Sequence, residues 1–367
     1  MKYIVIALLL IHGLICTLGF VKAFGFATVA QLQAPISRPV GLLWLAAALL
    51  LVASGVMLLL GSTGWWVLAA GGVVLSQILI FGAWSDARAG TIVNVILLIP
   101  ITVAALGVAP WSFRAMYQRD VATAFQQSAQ TQKPLTEADI AHLPPVVQRY
   151  LAFVGAIGKP QVWNYAAHMR CDLRNGPDDN WMAMTVEQQS FVNPPARHFL
   201  IEGTVFGVPF GAYHRYVGPS ATFQVRAASL FTLVDAKGAE MNQGETVTVL
   251  NDMFMLAPAT LIDPNITWEE LSPLTVRATW TNAGNTVSAD VTFDESGALV
   301  DFVSGDRYRT ADGKQYELLP WSTPVNGWRK VDGRRQFSSG EALWELPTGK
   351  FAYGRMELLD IAYNVSD

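Results

Sequence analysis

Four long apolar runs fill the first third of the chain, at residues 3–20, 40–60, 65–84 and 91–109. Each is almost free of charge and long enough for a helix to cross a hydrocarbon core. They predict an α-helical membrane bundle of four spans. The segment 21–39 is too polar to be a span and ends in Pro35 and Pro39, whereas Gly61-Ser-Thr-Gly64 is a tight connection that pairs the second and third spans as an antiparallel hairpin. Trp65 and Trp66 follow it at interfacial depth, where an indole keeps its body in lipid and its N–H in water.

Beyond the spans the pattern changes twice. Residues 112–135 are a polar, helical connector. Thr136 and Asp139 then open a helix as N-cap and third residue, and Val147, Tyr150, Leu151 and Val154 keep helical spacing after Pro144-Pro145. From Gln161 onward the period becomes two. Val276, Ala278 and Trp280 alternate with Arg277 and Thr279, and Val287, Ala289, Val291 and Phe293 alternate with Ser288, Asp290 and Thr292. Turn signals at Asn175-Gly176, Ala283-Gly284, Ser296-Gly297, Asp312-Gly313 and Asp332-Gly333 divide these runs into an antiparallel meander of about ten strands. One helical stretch, 243–255, interrupts them with Val247, Leu250 and Phe254 on one face. The fold class is therefore a membrane bundle followed by an α+β domain, a curved antiparallel sheet or half-barrel crossed by helices. The expected organisation is a transmembrane module at 1–111, a connector at 112–135 and a β-rich soluble domain at 136–367.

Charge divides the same way. Of 25 basic and 29 acidic side chains, residues 1–113 hold only Lys2, Lys22, Arg38, Asp86 and Arg88. The remainder is acidic and lacks Lys/Arg runs, which argues against nucleic-acid binding. The first span follows Lys2 as a signal peptide would, but no small-x-small cleavage site follows Phe20 and three more spans do, so it is read as a retained helix. With both termini inside, Lys2, the α-amine, Arg114 and Arg119 stand against Lys22, Arg38 and Arg88 outside, a small excess that favours the cytoplasmic side for the soluble domain under the positive-inside rule. Cys16 and Cys171 give no disulfide framework and no CxxC.

No span carries a charge near its centre, which disfavours a pump or secondary transporter. His12 and Cys16 share a helix face at a spacing open to metal, but two ligands are not a site. Gln77 and Asn94 are expected to hydrogen-bond between helices. In the soluble domain Glu245 and Asp252 lie two helical turns apart on one face. With Asp263, Arg307 and His214 they form the set that an acid/base site would use. His168, His198 and His214 show no zinc spacing, and no GxSxG elbow, P-loop or GxGxxG is present, so no metal or cofactor is expected. The domain is rich in aromatics, among them Trp163, Phe206, Phe210, Tyr213, Phe223, Trp280, Trp321 and Trp344. Aromatics on a concave sheet form a core and can also enclose an apolar ligand, with Trp280, Phe293 and Phe302 as lining candidates.

Several strings carry a family resemblance. In the first half they are His12-Gly-Leu-Ile15, Ile36-Ser-Arg-Pro-Val-Gly-Leu-Leu-Trp44 and Trp84-Ser-Asp-Ala-Arg-Ala-Gly-Thr-Ile-Val-Asn94. In the second they include Leu143-Pro-Pro-Val-Val-Gln-Arg-Tyr-Leu151, Leu256-Ala-Pro-Ala-Thr-Leu-Ile-Asp263 and Phe302-Val-Ser-Gly-Asp-Arg-Tyr308. The chain resembles an uncharacterised bacterial membrane family, a domain of unknown function preceded by four helices, and this implies no activity. Members commonly carry a second histidine where Cys16 stands here. In shape the soluble domain is similar to the half-barrel of bacterial lipoprotein carriers, which implies a lipid or acyl ligand. The leading expectation is a non-enzymatic membrane-anchored protein that binds a lipid-like ligand or a partner protein. The alternatives are an enzyme using Glu245, Asp252, Asp263 and Arg307, and a sensor or assembly subunit.

Overall fold

A computed structural model describes residues 1–205 and 208–366; Phe206, named in the aromatic set, lies outside the described residues. The chain divides into two compact units, Met1–Ala109 and Pro110–Asp367.

In the first unit the four apolar runs form α1 (Lys2–Phe24), α2 (Arg38–Leu59), α3 (Trp65–Gly82) and, after the short α4 (Trp84–Ala87), α5 (Gly90–Gly107). By length and composition α1, α2, α3 and α5 are apolar enough to cross a membrane. Leu9, Leu51, Ile80 and Leu97 make the interior. Small residues bring the helices together, as is usual where lipid removes the hydrophobic drive between them. Gly19 lies flat on the Trp44 indole, and a Cβ there would come within 2.4 Å of the ring.

The second unit begins with α6 (Phe113–Gln127), α7 (Glu137–Ile140) and α8 (Pro145–Phe153). Thr136 and Asp139 form the capping box expected of them. The strands follow: β1 (Asn164–Leu173), β2 (Met182–Phe191), β3 (Ala196–Val205), β4 (Val208–Val217), β5 (Ser220–Ala227) and β6 (Phe231–Lys237). Helix α9 (Ala239–Met255) and a 3-10 turn (Pro258–Ile262) interrupt them. Then come β7 (Ile266–Ser272), β8 (Thr275–Asn282), β9 (Asn285–Phe293), β10 (Leu299–Ser304), β11 (Tyr308–Arg309), β12 (Glu317–Leu318), β13 (Trp321–Ser322), β14 (Val325–Val331), β15 (Arg334–Leu346) and β16 (Gly349–Tyr363).

Among the described residues, fourteen strands form one antiparallel sheet in the order β6-β5-β4-β3-β2-β1-β16-β15-β13-β10-β9-β8-β7, with β14 on β15. Among the described residues there are sixteen strands against about ten expected, and β11, β12 and β13, of two residues each and too short to show alternation, account for part of the difference. The β14–β15 hairpin closes at Asp332-Gly333, both left-handed at φ 48° and 78°, the geometry that a two-residue hairpin loop demands.

The sheet curls around α9. That helix touches β4, β5 and β6 near one end and β9 and β10 near the other. Across the opening, Asn282 Nδ2 donates to Tyr216 Oη at 2.6 Å. The result is a half-barrel whose inner face and α9 share one core, with Tyr150, Phe254, Phe293 and Phe302 fully buried in it. The segment read as a connector is α6, and it packs on the outer face of β3 and β4, where Phe113 meets Leu200 and Tyr213.

Candidate functional site

Helix α9 carries an unusual load for a core helix. Glu245, Thr246, Thr248, Asn251 and Asp252 are all buried, alongside Val247, Leu250 and Phe254. Buried polar groups need partners, and these find them on the encircling strands. Arg197 of β3 is the hub. Its Nε donates to Asp252 at 2.7 Å and its Nη1 to Glu245 at 3.2 Å. Arg307 reaches the other oxygen of Glu245 at 3.5 Å and donates from Nε to Thr248 at 3.2 Å. His214 of β4 contacts that same oxygen through Nδ1 at 3.2 Å. Gln188 Nε2 donates to Asp252 at 2.6 Å. Asn251 donates to Thr323 at 2.6 Å.

Two guanidinium groups thus face two carboxylates, and both cations also lie on aromatic rings. Arg307 sits over Trp321 at 4.4 Å and Arg197 over Phe199 at 4.3 Å, a placement in which the ring quadrupole attracts the cation. Burial opposes the charge on Glu245. His214, Arg197 and Arg307 outweigh that penalty and hold its carboxyl well below the usual carboxylate range. Burial pushes His214 down, against the pull of Glu245. Two guanidinium groups, Arg197 and Arg307, stand against the two carboxylates, Glu245 and Asp252. Glu245 has no exposed surface, so it is sealed from solvent and fixed as an anion. That is the opposite of what a general acid at neutral pH requires.

Asp252 differs from Glu245 in that it borders a cleft. The cleft lies between the β2–β3 hairpin and the α9–3-10 segment. It is lined by Phe191, Val192, Pro195 and Ala196 of the hairpin, by Val249, Met253, Ala257 and Trp280, and by the polar side chains of Tyr165, Ser190, Arg197, Asp252 and Thr260. Its free space is about 30 Å³, room for about one water. Asp263 lines it too, where its Oδ2 accepts the Trp280 indole N–H at 3.1 Å.

The sequence-selected residues therefore fall into two places. Glu245, Asp252 and Arg307 belong to the ion cluster, and Asp252, Asp263 and Trp280 belong to the cleft. Phe293 packs on Tyr150 at 5.1 Å, and Phe302 lies between Phe254 and Trp321. Sequence reasoning missed Arg197, Gln188 and Tyr165. The signal for Arg197 was its phase: it points inward with Phe199 and Ile201, while Leu200 points outward to α6. A charged residue in an inward set implies an ion pair. Among the described residues, no three His, Cys, Asp or Glu side chains come together as a metal-ligand set.

A search of curated proteins finds no match to the chain. Among solved structures, a LolA superfamily protein from Nitrosomonas europaea is a distant likeness, 9% identical over 60% of this chain and 94% of that one, with a TM-score of 0.31. A family model matches residues 133–356, which take in α8, the ion cluster and the cleft, and the chain belongs to that family, the family of unknown function DUF6544.

Proposed function

We propose that the soluble domain is a binding module for an apolar or lipid-like ligand, with the cleft beside Trp280 as its entry. The observation that carries this reading is the make-up of the cleft: the apolar side chains of Phe191, Val192, Val249, Met253 and Trp280 meet there with the polar groups of Tyr165, Ser190, Arg197, Asp252, Thr260 and Asp263. Ligand sites have that composition, with apolar surface for affinity and a few fixed polar groups for orientation. The space present is far smaller than a lipid, so entry displaces Met253 and the 3-10 turn at Pro258–Ile262. Met253 is an unbranched, adaptable side chain suited to that movement. In this reading Trp280 contacts the ligand, and Phe293 and Phe302 line the deeper space only when the helix moves.

The test is native mass spectrometry of the gently extracted full-length protein, with titration of a dansyl fatty acid followed by energy transfer from tryptophan. The wild type is expected to retain a lipid-sized mass or to bind the probe. Val192→Trp, at the half-exposed rim, is expected to weaken binding several-fold by plugging the mouth. An apo mass with no transfer in the wild type would sink the reading. The same reading places the protein in the bacterial plasma membrane with the domain on the cytoplasmic side. A C-terminal reporter that is active only in the periplasm would reverse that orientation.

The enzyme alternative rests on the convergence of Glu245, Asp252 and Arg307. The fixed ionisation of Glu245 argues against it as an acid, and Asp252 with Asp263 at the cleft is what remains of it.

A further inference from the structure

At one end of the sheet the start of β4 lies beside the β5–β6 turn, joined where Ala228 N–H donates to the Pro209 carbonyl at 2.7 Å. This tip is apolar and open. Leu230, Phe231 and Leu233 are 56%, 63% and 56% exposed, and Val208 is 42% exposed. No charged residue occurs in 203–213 or 227–234. Exposed turns normally carry Asn, Asp, Gly or Ser. Here Ala228 and Ser229 hold left-handed backbone at φ 51° and 56° beside Leu230 and Phe231, a costly conformation for residues with a Cβ. A contiguous apolar patch on an otherwise acidic domain marks a contact surface.

Its position identifies the contact. Arg226, at the base of the tip, donates to the Trp111 carbonyl at 2.9 Å and stacks on Phe113 at 4.4 Å. Trp111 is itself 56% exposed. It stands four residues after Gly107, the end of α5, and four residues of fully extended chain reach at most about 14 Å. The tip is thus fastened to Trp111, which the chain itself keeps within four residues of the last apolar helix. We propose that Val208, Pro209, Leu230, Phe231 and Leu233 dip into the lipid interface there, with Trp111 and Arg226 at headgroup depth. Apolar side chains below and an amphipathic Trp/Arg collar above is the arrangement by which protein surfaces seat in that layer. The cleft opens at the Phe191–Ala196 end of the β2–β3 hairpin, and the tip adjoins the opposite, Val205 end of β3, so the two surfaces are separate.

The experiment uses the full-length protein, with Cys16 and Cys171 replaced by alanine, reconstituted into phosphatidylcholine/phosphatidylglycerol vesicles. An environment-sensitive dye is placed by Phe231→Cys, by Leu230→Cys, or by Ser220→Cys at the opposite end of β5. All three positions are exposed, so the label displaces no packing. At 230 and 231 a blue shift is expected, with quenching by spin-labelled acyl chains and several-fold weaker quenching by aqueous iodide than at 220. Equal iodide access at all three positions overturns the proposal. Shielding from iodide without acyl-chain quenching also overturns it and assigns the patch to a protein contact.

Discussion

Each unit buries a polar cluster, and the two are built differently. In the helical unit His12 donates from Nε2 to Asn94 Oδ1 at 2.9 Å, and Ser76 donates to the same oxygen at 3.0 Å. Asn94 Nδ2 donates to Gln77 at 3.0 Å, and Gln77 donates to Thr91 at 3.1 Å. All of these are amides and hydroxyls around one imidazole. The sheet unit instead buries Arg197, Arg307, Glu245 and Asp252 as full charges. The difference follows from what surrounds them. A charge within a thin helical bundle has lipid close by and few groups to solvate it. The half-barrel wraps α9 with strands on both sides, so each charge has an opposite charge and a hydrogen-bonding neighbour. Both clusters do the same structural work, tying together elements distant in sequence. They differ in how much is lost when a member is removed.

The largest loss is expected at Arg197. Arg197→Met keeps the volume and the contact with Phe199 but leaves Asp252 without a cation and Glu245 with only Arg307 and His214, at a cost of ~3–5 kcal/mol, the usual consequence of breaking a buried pair. Hydrogen exchange in the α9 amides measures it, and that helix is expected to open far more often. Unchanged exchange would mean that the cluster does not hold the helix. Changing Arg197→Met and Asp252→Leu together is expected to cost less than the sum, because the stranded charge is removed with its partner.

That hub shows what the sequence could and could not reveal. The spans were legible because twenty apolar residues in a row are a local signal. The α9 face was legible because Glu245 and Asp252 are two turns apart. The turn at Asp332-Gly333 declares itself by residue type. Arg197 was not visible as a partner because it meets Asp252 across 55 residues and Glu245 across 48. Only the curl of the sheet decides that meeting. The cleft was hidden for the same reason, since Phe191 and Pro195 come from one hairpin and Ala257 and Thr260 from the segment after α9. Alternation put Phe293 and Phe302 on the inner face but could not separate packed core from lining. Trp280 shares their phase and yet lines the cleft.

A smaller effect with a pH signature is expected at Glu245. Its folded pKa lies below the ordinary value of 4.5, so its stabilisation is fully present above that pH and is lost as pH falls through the depressed folded value. Below about pH 4.5 the wild type should lose stability at up to about 1.4 kcal/mol per pH unit from this group. Glu245→Gln keeps the shape and some of the hydrogen bonds but not the charge. It is expected to cost about 2–3 kcal/mol at pH 7, the range of hydrogen bonds to charged groups, and to flatten the acid limb. A mutant as steep as the wild type below pH 4.5 would place the acid sensitivity elsewhere.

The smallest effect is expected in the helical unit, at Asn94→Leu. Asn94 is the centre of that cluster, and the change removes one hydrogen bond from each of His12, Ser76 and Gln77, leaving Ser76 with the Val73 carbonyl and Gln77 with Thr91. In water-soluble cores such a loss is severe. Between membrane helices a hydrogen bond averages only about 0.6 kcal/mol, with a maximum of about 1.7, because helices separated in lipid find other partners. A small decrease in resistance to denaturing detergent, near that range, is therefore the expected result, several-fold below Arg197→Met in the other unit. A loss as large as that of Arg197→Met would break the comparison. It would mean that His12 and its neighbours are as poorly replaced as buried charges, and that the bundle carries a specific site and not only an internal clasp.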